Sequence, residues 1–296
     1  MKISGFTFVK NAVKYSYPVL ESIQSLLPIV DEMIVCLGNS EDETTELIKS
    51  IGSPKIKIIH SVWDENLREG GKVLAVETNK ALDATAVDSD WLFYIQADEV
   101  LQEDFYPVIL AAMEKYKNDN RVEGLLFNYH HFYGSYQYIG DGRKWYSKEI
   151  RVIRNNKAIR SHLDAQGFRW SDGRKLKVKL IDAFIFHYGW VRNPIKMKQK
   201  FIDFGKNWND DNAQEQWVTG YNKEASAEFD YSNIDSVTRF NGSHPVVMKS
   251  LLDKADWEPA INEKKKNFKN NKHRLYYFLW KTFGWRPFEY KNYKRI

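Results

Sequence analysis

The apolar run Trp91-Leu92-Phe93-Tyr94-Ile95 stops abruptly at Gln96-Ala97-Asp98-Glu99. In a parallel sheet, ligands lie in the crevice beyond the carboxyl ends of the strands, and adjacent carboxylates released there can hold a hard cation against phosphate oxygens. These residues therefore predict metal-assisted chemistry on a nucleotide substrate. A second cluster, Phe184-Ile185-Phe186-His187-Tyr188-Gly189-Trp190-Val191-Arg192, sets a histidine after another apolar run. Its pattern predicts a strand end at His187, a glycine turn and then a basic helix. A neutral imidazole can complete a sphere of carboxylate and phosphate oxygens around Mn2+. His187 and the carboxylate pair, Asp98 first with Glu99 behind it or close to the acceptor, are the expected metal site, and Arg192, Lys196 and Lys200 are cations able to neutralise a diphosphate as charge develops on it.

These side chains need a frame, and the first hundred residues supply one. Apolar runs at Ile3–Val9, Glu32–Leu37, Ile56–Val62 and Trp91–Ile95 alternate with helical spacing at Tyr17–Leu27, Glu43–Ile51 and Lys72–Leu82. Strands joined by helix-length connections predict right-handed crossovers and a mixed, mostly parallel α/β sheet flanked by helices. The polar residues at the strand ends are then Lys10, Asn11, Asn39, Ser40, Asp42, Trp63, Asp64, Gln96, Asp98 and Glu99. Farther on, Phe105–Tyr116 has helical spacing with Pro107 in its first turn. Val122–Phe132, Ile150–Arg154 and Val178–Phe186 read as strands, Gly134–Trp145 as a loop or short hairpin, and residues 194–207 as a helix with a basic face. The expected division is a catalytic unit over residues 1–205, with a nucleotide-binding half at 1–100 and an acceptor half at 101–205, and a basic, aromatic C-terminal appendage at 206–296.

Composition narrows the setting. The 296 residues are 43% hydrophobic and 15% aromatic, and 44 Lys and Arg against 39 Asp and Glu give a formal charge of +5. That balance suits an anionic donor or an acidic membrane surface. No recognisable nucleic-acid reader motif accompanies it, so nucleic acid is not an expected partner. The single cysteine, Cys36, lies in an apolar strand and favours a reducing compartment. No stretch reaches the roughly 18 to 20 apolar residues of a membrane span, and the first residues lack the apolar core of a secretory signal, so a cytoplasmic protein, soluble or peripheral at the cytoplasmic membrane face, is expected. Neither G-x-G-x-x-G after the first strand nor G-x-x-x-x-G-K-[ST] is present, which disfavours dinucleotide and P-loop sites.

Several segments together resemble the family 2 glycosyltransferases of the GT-A nucleotide-diphospho-sugar transferase fold. Phe6-Thr7-Phe8-Val9-Lys10-Asn11 is similar to the family's first strand. Ser40, Asp42 and Thr44 match its S-x-D-x-T helix start, and Gln96-Ala97-Asp98-Glu99 resembles a D-A-D-E form of its D-x-D segment. The resemblance implies transfer of a sugar, most simply from a UDP-sugar and with inversion, to a hydroxyl of a cell-surface glycan or lipid-linked saccharide, supported by Mn2+ or Mg2+. It implies that Lys10, Asn11, Asn39, Asp42, Trp63, Asp64, Lys72, Gln96, Ala97 and Arg192 surround the donor. The sequence departs from the pattern at Gln96, where the family has its first Asp; an amide can hydrogen-bond there but brings no charge.

Inverting transfer also needs a carboxylate general base for the acceptor hydroxyl. Asp164, with His162 close by, is the first choice, then Glu149, with Asp172 as a third. Arg151 and Arg154 read as alternating on one strand face, where they could meet phosphate. The aromatic and hydroxyl-rich run Tyr129–Tyr138 suits stacking on sugar rings, and its adjacent His130 and His131 must point to opposite faces of a strand. In the tail, Trp208 and Trp217 read as anchors. The aromatics from Tyr276 to Tyr293, set among Lys and Arg, suit either a phospholipid interface or packing on the catalytic unit or another subunit. The competing readings are a nucleotidyltransferase and a non-catalytic glycan-binding protein.

Overall fold

The computed structural model describes residues 1–64, 66–67, 69–205 and 228–296; Arg68, Trp208 and Trp217 fall outside them. Strand β1 (Ile3–Val9), helix α1 (Val19–Leu26), β2 (Glu32–Leu37), α2 (Thr44–Lys49), β3 (Ile56–His60), α3 (Lys72–Asp83) and β4 (Trp91–Tyr94) follow the expected alternation. β1 pairs in parallel with β2 and β4, and β2 with β3, so the mostly parallel sheet is borne out. Trp91 and Phe93 pack into one apolar layer and Leu92 and Tyr94 into the other. A strand buried on both faces carries no polar alternation, which is why β4 reads as an unbroken apolar run.

The second half folds onto the same sheet. β5 (Glu99–Leu101) leads into α4 (Tyr106–Tyr116), followed by β6 (Gly124–Gly134), β7 (Tyr138–Gly140), β8 (Lys148–Arg154), β9 (Ile159–His162), β10 (Gly167–Trp170), β11 (Leu176–Val191) and α5 (Pro194–Gly205). β8 inserts antiparallel between β4 and β6, while β11 runs parallel to β6 and antiparallel to β5. Beyond residue 228, β12 (Val237–Arg239) pairs with β7, and β13 (Tyr293–Arg295) pairs in parallel with the start of β11. The helix Asn271–Phe283 is tied down through Lys281 and Tyr277, both 2.9 Å from Asp141 Oδ2.

Two local expectations are corrected, and one element is added. The strand holding His187 does not end there: β11 continues to Val191, and Gly189 lies within it rather than in a turn. Its pairing with β6 slips register between His187 and Trp190 and then resumes to Val191, while the Gly189 carbonyl accepts from the Arg192 and Lys200 side chains. Arg151 and Arg154 do not alternate on one strand face: β8 slips register against β6 at Arg151, between Ile150 and Val152, and the two side chains have different surroundings. Arg151 is fully buried, whereas Arg154 lies 4.0 Å from the Trp91 ring and donates to the carbonyls of Tyr116, Lys117, Asp119 and Val122. The β9–β10 hairpin is an element the apolar pattern does not announce.

Candidate active site

The pairing of β5 with β11 builds the centre of the site. Glu99 is in register with His187, and the Tyr188 amide donates to the Asp98 carbonyl at 2.8 Å. This register brings the Asp98 carboxylate beside the His187 ring, with Oδ2 and Nε2 3.7 Å apart. Lys200, reaching in from α5, donates to the Gly189 carbonyl at 2.9 Å and sits 3.9 Å from the same Asp98 oxygen. Burial works against ionisation of Asp98, but His187 when protonated, Lys200 and Arg192 together hold its carboxyl below the usual range. Burial pulls Lys200 down to about 7, with Arg192 adding to the effect. Burial likewise lowers His187, which favours its neutral form.

A divalent cation fits this pair. Metal–ligand bonds of about 2.1 Å from a carboxylate oxygen and an imidazole nitrogen can together reach across 3.7 Å. The space is also kept open by the backbone, because a Cβ on Gly189 would lie 2.6 Å from His187 Nε2 and 2.7 Å from Asp98 Oδ2. Among the described residues, no group of three or more His, Cys, Asp or Glu side chains assembles to hold a metal. Two protein donors therefore suit an ion that arrives with ligands of its own.

Glu99 does not share in that cluster. It is fully buried and bound on both oxygens by Arg151, with Nε to Oε2 and Nη2 to Oε1 each 2.8 Å. The Tyr129 hydroxyl donates to Oε1 at 2.8 Å and the Gln96 amide to Oε2 at 3.1 Å. Arg151 Nη1 reaches the Ile150 and Gln166 carbonyls, and its guanidinium lies over the Tyr94 and Tyr129 rings. The adjacent carboxylates are thus in different settings: Asp98 lies beside His187 and Lys200, and Glu99 is held by Arg151.

The other expected donor residues fall into two groups. Asn11, in a left-handed conformation with φ 55°, accepts from the Glu41 amide at 2.8 Å, while its own amide donates to Ser40 Oγ. Asp42 Oδ2 accepts from the Lys14 amide, and Thr44 Oγ1 accepts from the Ala12 amide, each at 2.7 Å. These contacts lock the loop after β1 to the loop after β2, so the S-x-D-x-T segment is fixed at the carboxyl ends of these two strands. More open positions surround it. Lys10 Nζ lies 5.4 Å from the Trp63 ring, the Trp63 amide donates to Asn39 Oδ1 at 3.2 Å, and Asp64 and Lys72 are exposed. Gln96 donates from Nε2 to the Tyr94 hydroxyl and the Ala165 carbonyl, both at 3.3 Å, and Ala97 packs on the main core. Arg192 is 2% exposed. Its Nε and Nη1 donate to the Tyr15 and Gly189 carbonyls, and the buried Nη2 has no hydrogen-bond partner among the described residues.

The hairpin connecting β9 to β10 carries Asp164. Asn79 on α3 accepts from the Ser161 amide at 2.9 Å, and Ala165 is buried against Val73 and Leu74. Leu163 and Ala165 both have positive φ, 54° and 60°, a conformation that side chains other than glycine adopt only at an energetic penalty. Asp164 stands half-buried between them, and burial raises its carboxyl. Glu149 is 2% exposed. It accepts from the Ile150 amide at 2.8 Å and packs against Gly167, where burial pushes it up to about 7. Asp172 is exposed and caps a turn by accepting from the Arg174 amide, away from these groups.

Residues 7–171 match the glycosyl transferase family 2, more than half of the chain. Among solved structures, the glucosyl-3-phosphoglycerate synthase of Mycobacterium tuberculosis, in complex with Mn2+, UDP and glucosyl-3-phosphoglycerate, is similar at 19% identity and a TM-score of 0.30. The match covers 45% of this chain and 45% of that one, so the chain spans less than half of that enzyme's length. S. aureus TarS 1–349 in complex with UDP is 13% identical over 75% of this chain and 70% of that one, with a TM-score of 0.35. The 4-diphosphocytidyl-2C-methyl-D-erythritol synthase of Anaerococcus prevotii is 14% identical over 64% and 91%, with a TM-score of 0.38. No curated protein matches. The match over residues 7–171 and the mostly parallel α/β sheet agree: the chain belongs to glycosyl transferase family 2 and has the GT-A fold.

Proposed function

We propose that residues 1–205 form the catalytic unit of an inverting transferase. It moves a sugar from a nucleotide-diphospho-sugar, with UDP the expected nucleotide, to a hydroxyl of a cell-surface glycan or lipid-linked saccharide. The observation that carries this reading is the pair Asp98 Oδ2 and His187 Nε2, 3.7 Å apart over the bare Gly189 backbone. Mn2+ or Mg2+ held there, its coordination completed by diphosphate oxygens and water, would offset the negative charge that grows on the leaving nucleotide. Lys200 adds a positive charge beside Asp98. Trp63, Lys10 and Asn39 line the nucleotide side, and Gln96 contributes a neutral amide where the family places an acid.

Nucleotide release from UDP-, GDP-, CDP- and dTDP-sugars, with Mn2+, Mg2+ or chelator and a mixed glycan acceptor pool, tests the reading. Metal-dependent release from at least one donor is expected. Binding and turnover of none would leave a glycan-binding protein with a degenerate site.

The acceptor proton goes to Asp164 in this scheme, from a hairpin pinned by Asn79 and Ala165. Asp164→Asn should lower transfer by roughly 10²- to 10⁴-fold while donor binding persists. Glu149→Gln should leave transfer within a few-fold and change stability instead. Because the folded-state pKa of Glu149 is raised to about 7, its contribution to stability is fully present below the ordinary carboxylate range and is lost as pH rises through about 7. Glutamine does not ionise, so the variant's melting temperature relative to wild type should rise more at pH 8 than at pH 5. Loss of transfer in Glu149→Gln, with Asp164→Asn active, would move the base to Glu149.

No helix among the described residues is long and apolar enough to cross a membrane. Around the helix Asn271–Phe283, however, Phe278, Phe283, Trp285, Phe288 and Tyr290 are 55–86% exposed, with Lys272 and Arg274 exposed nearby. Exposed aromatics with basic neighbours suit an anionic lipid interface. Cosedimentation with vesicles containing anionic lipid, but not with zwitterionic ones, is the result expected if this face meets the membrane; equal partitioning to both or to neither removes that role.

A further inference from the structure

We propose that His131 is a positioning residue that fixes the ring tautomer of His187, so that the Nε2 lone pair of His187 faces Asp98. The inference rests on the metal-site reading above and extends it one residue deeper. β6 and β11 place His131 and His187 in register, and His131 is 2% exposed. A chain of polar contacts runs from the Tyr146 carbonyl to His131 Nε2 at 2.8 Å, then from His131 Nδ1 to His187 Nδ1 at 3.0 Å. It ends with His187 Nε2 facing Asp98 Oδ2 at 3.7 Å.

Hydrogen-bond stoichiometry orders this chain. A carbonyl oxygen can only accept, so His131 Nε2 carries a hydrogen whatever the state of the ring. The short contact between the two Nδ1 atoms then needs one hydrogen and one lone pair. Placing that hydrogen on His131 would make it a buried imidazolium, stacked between the Tyr129 and Trp145 rings, with His187, Arg286 and Arg151 the charged groups acting on it. The same placement would leave His187 Nδ1 as the lone pair and put that ring's hydrogen on Nε2, the atom that must be bare to hold a cation. The hydrogen therefore belongs to His187 Nδ1, which donates to His131. With a cation at Nε2, that nitrogen supplies its lone pair toward the gap shared with the carboxylate, and the ring's one hydrogen stays on Nδ1, where His131 accepts it. A metal-bound imidazole is commonly oriented by a partner that accepts from its other ring nitrogen. Here a second histidine performs that task, itself oriented by a backbone carbonyl.

Two measurements test the relay without relying on turnover. The first is Mn2+ affinity in the presence of UDP, from electron paramagnetic resonance of free Mn2+. His131→Asn keeps an acceptor where Nδ1 stood and should bind within about threefold of wild type. His131→Leu offers none and should bind about 10- to 100-fold more weakly. His187→Ala and Asp98→Ala separate the two ideas: wild-type affinity in both overturns the metal reading itself. Loss of affinity in both, with wild-type affinity in a folded His131→Leu, overturns the relay alone. The second measurement is the 15N shift pattern of the histidine rings in the wild-type protein. A protonated Nδ1 and bare Nε2 on His187 are expected, and the opposite tautomer overturns the proposal even if His131→Leu does not fold.

Discussion

Asp98→Asn should yield a folded protein whose metal-supported nucleotide release is lower by at least about 10²- to 10³-fold, the range seen when a preorganised electrostatic group is removed from a reacting centre. Asparagine keeps the shape and a hydrogen-bonding oxygen, so packing around this turn should survive. What disappears is the negative charge in a partly desolvated site beside Lys200 and within the field of Arg192. Without it, the crevice holds positive charge with no fixed carboxylate to bring a divalent cation against the diphosphate. Gly189→Ala should produce a similar loss by a different route. Its Cβ would intrude to 2.6 Å from His187 Nε2 and 2.7 Å from Asp98 Oδ2, pushing apart the groups that must converge. Release at saturating Mn2+, with melting temperature as the control for folding, measures both. Activity of a stable Asp98→Asn within threefold of wild type would sink the assignment of Asp98 to the reacting centre.

How far the sequence reveals this site depends on the range of the interactions involved. β1, β2 and β4 are legible because both faces of each are buried, and an apolar run is the direct chemical record of that. Asp98 is legible because such a run must end at the crevice. The separate role of Glu99 needs Arg151, which lies 52 positions away and meets it only once β8 has entered the sheet beside β4. Gly189 reads as a turn because glycine often makes one, yet here the missing side chain clears space inside a strand. His131 is correctly separated from His130 by strand alternation, but its partner is set by the register of β6 with β11, a property of two distant segments. The hairpin presenting Asp164 depends on Leu163 and Ala165 in left-handed conformations, which neither residue type advertises.

Arg151→Met should be the most destabilising of the single changes considered, costing about 3–5 kcal/mol, because it leaves the Glu99 carboxylate buried without its counter-ion. Both partners are fully buried. Glu99→Gln strands the guanidinium in the same way, although the one oxygen that remains can keep one of the two donors, the Tyr129 hydroxyl at the Oε1 position or the Gln96 backbone amide at the Oε2 position. The double variant Glu99→Gln/Arg151→Met removes both charges together and should lose clearly less than the sum of the two single losses. Urea unfolding of the four proteins measures the coupling, and additivity within about 0.5 kcal/mol would show that the pair does not act as a unit. The double variant also separates stability from catalysis. Glu99 holds the Gln96 amide at 3.1 Å, closing the turn from which Asp98 projects. A protein that regains stability with glutamine at 99 and keeps Asp98 in place should regain metal-dependent release as well. If stability returns without activity, the charge on Glu99 acts on the reacting centre itself and not only through the position of Asp98.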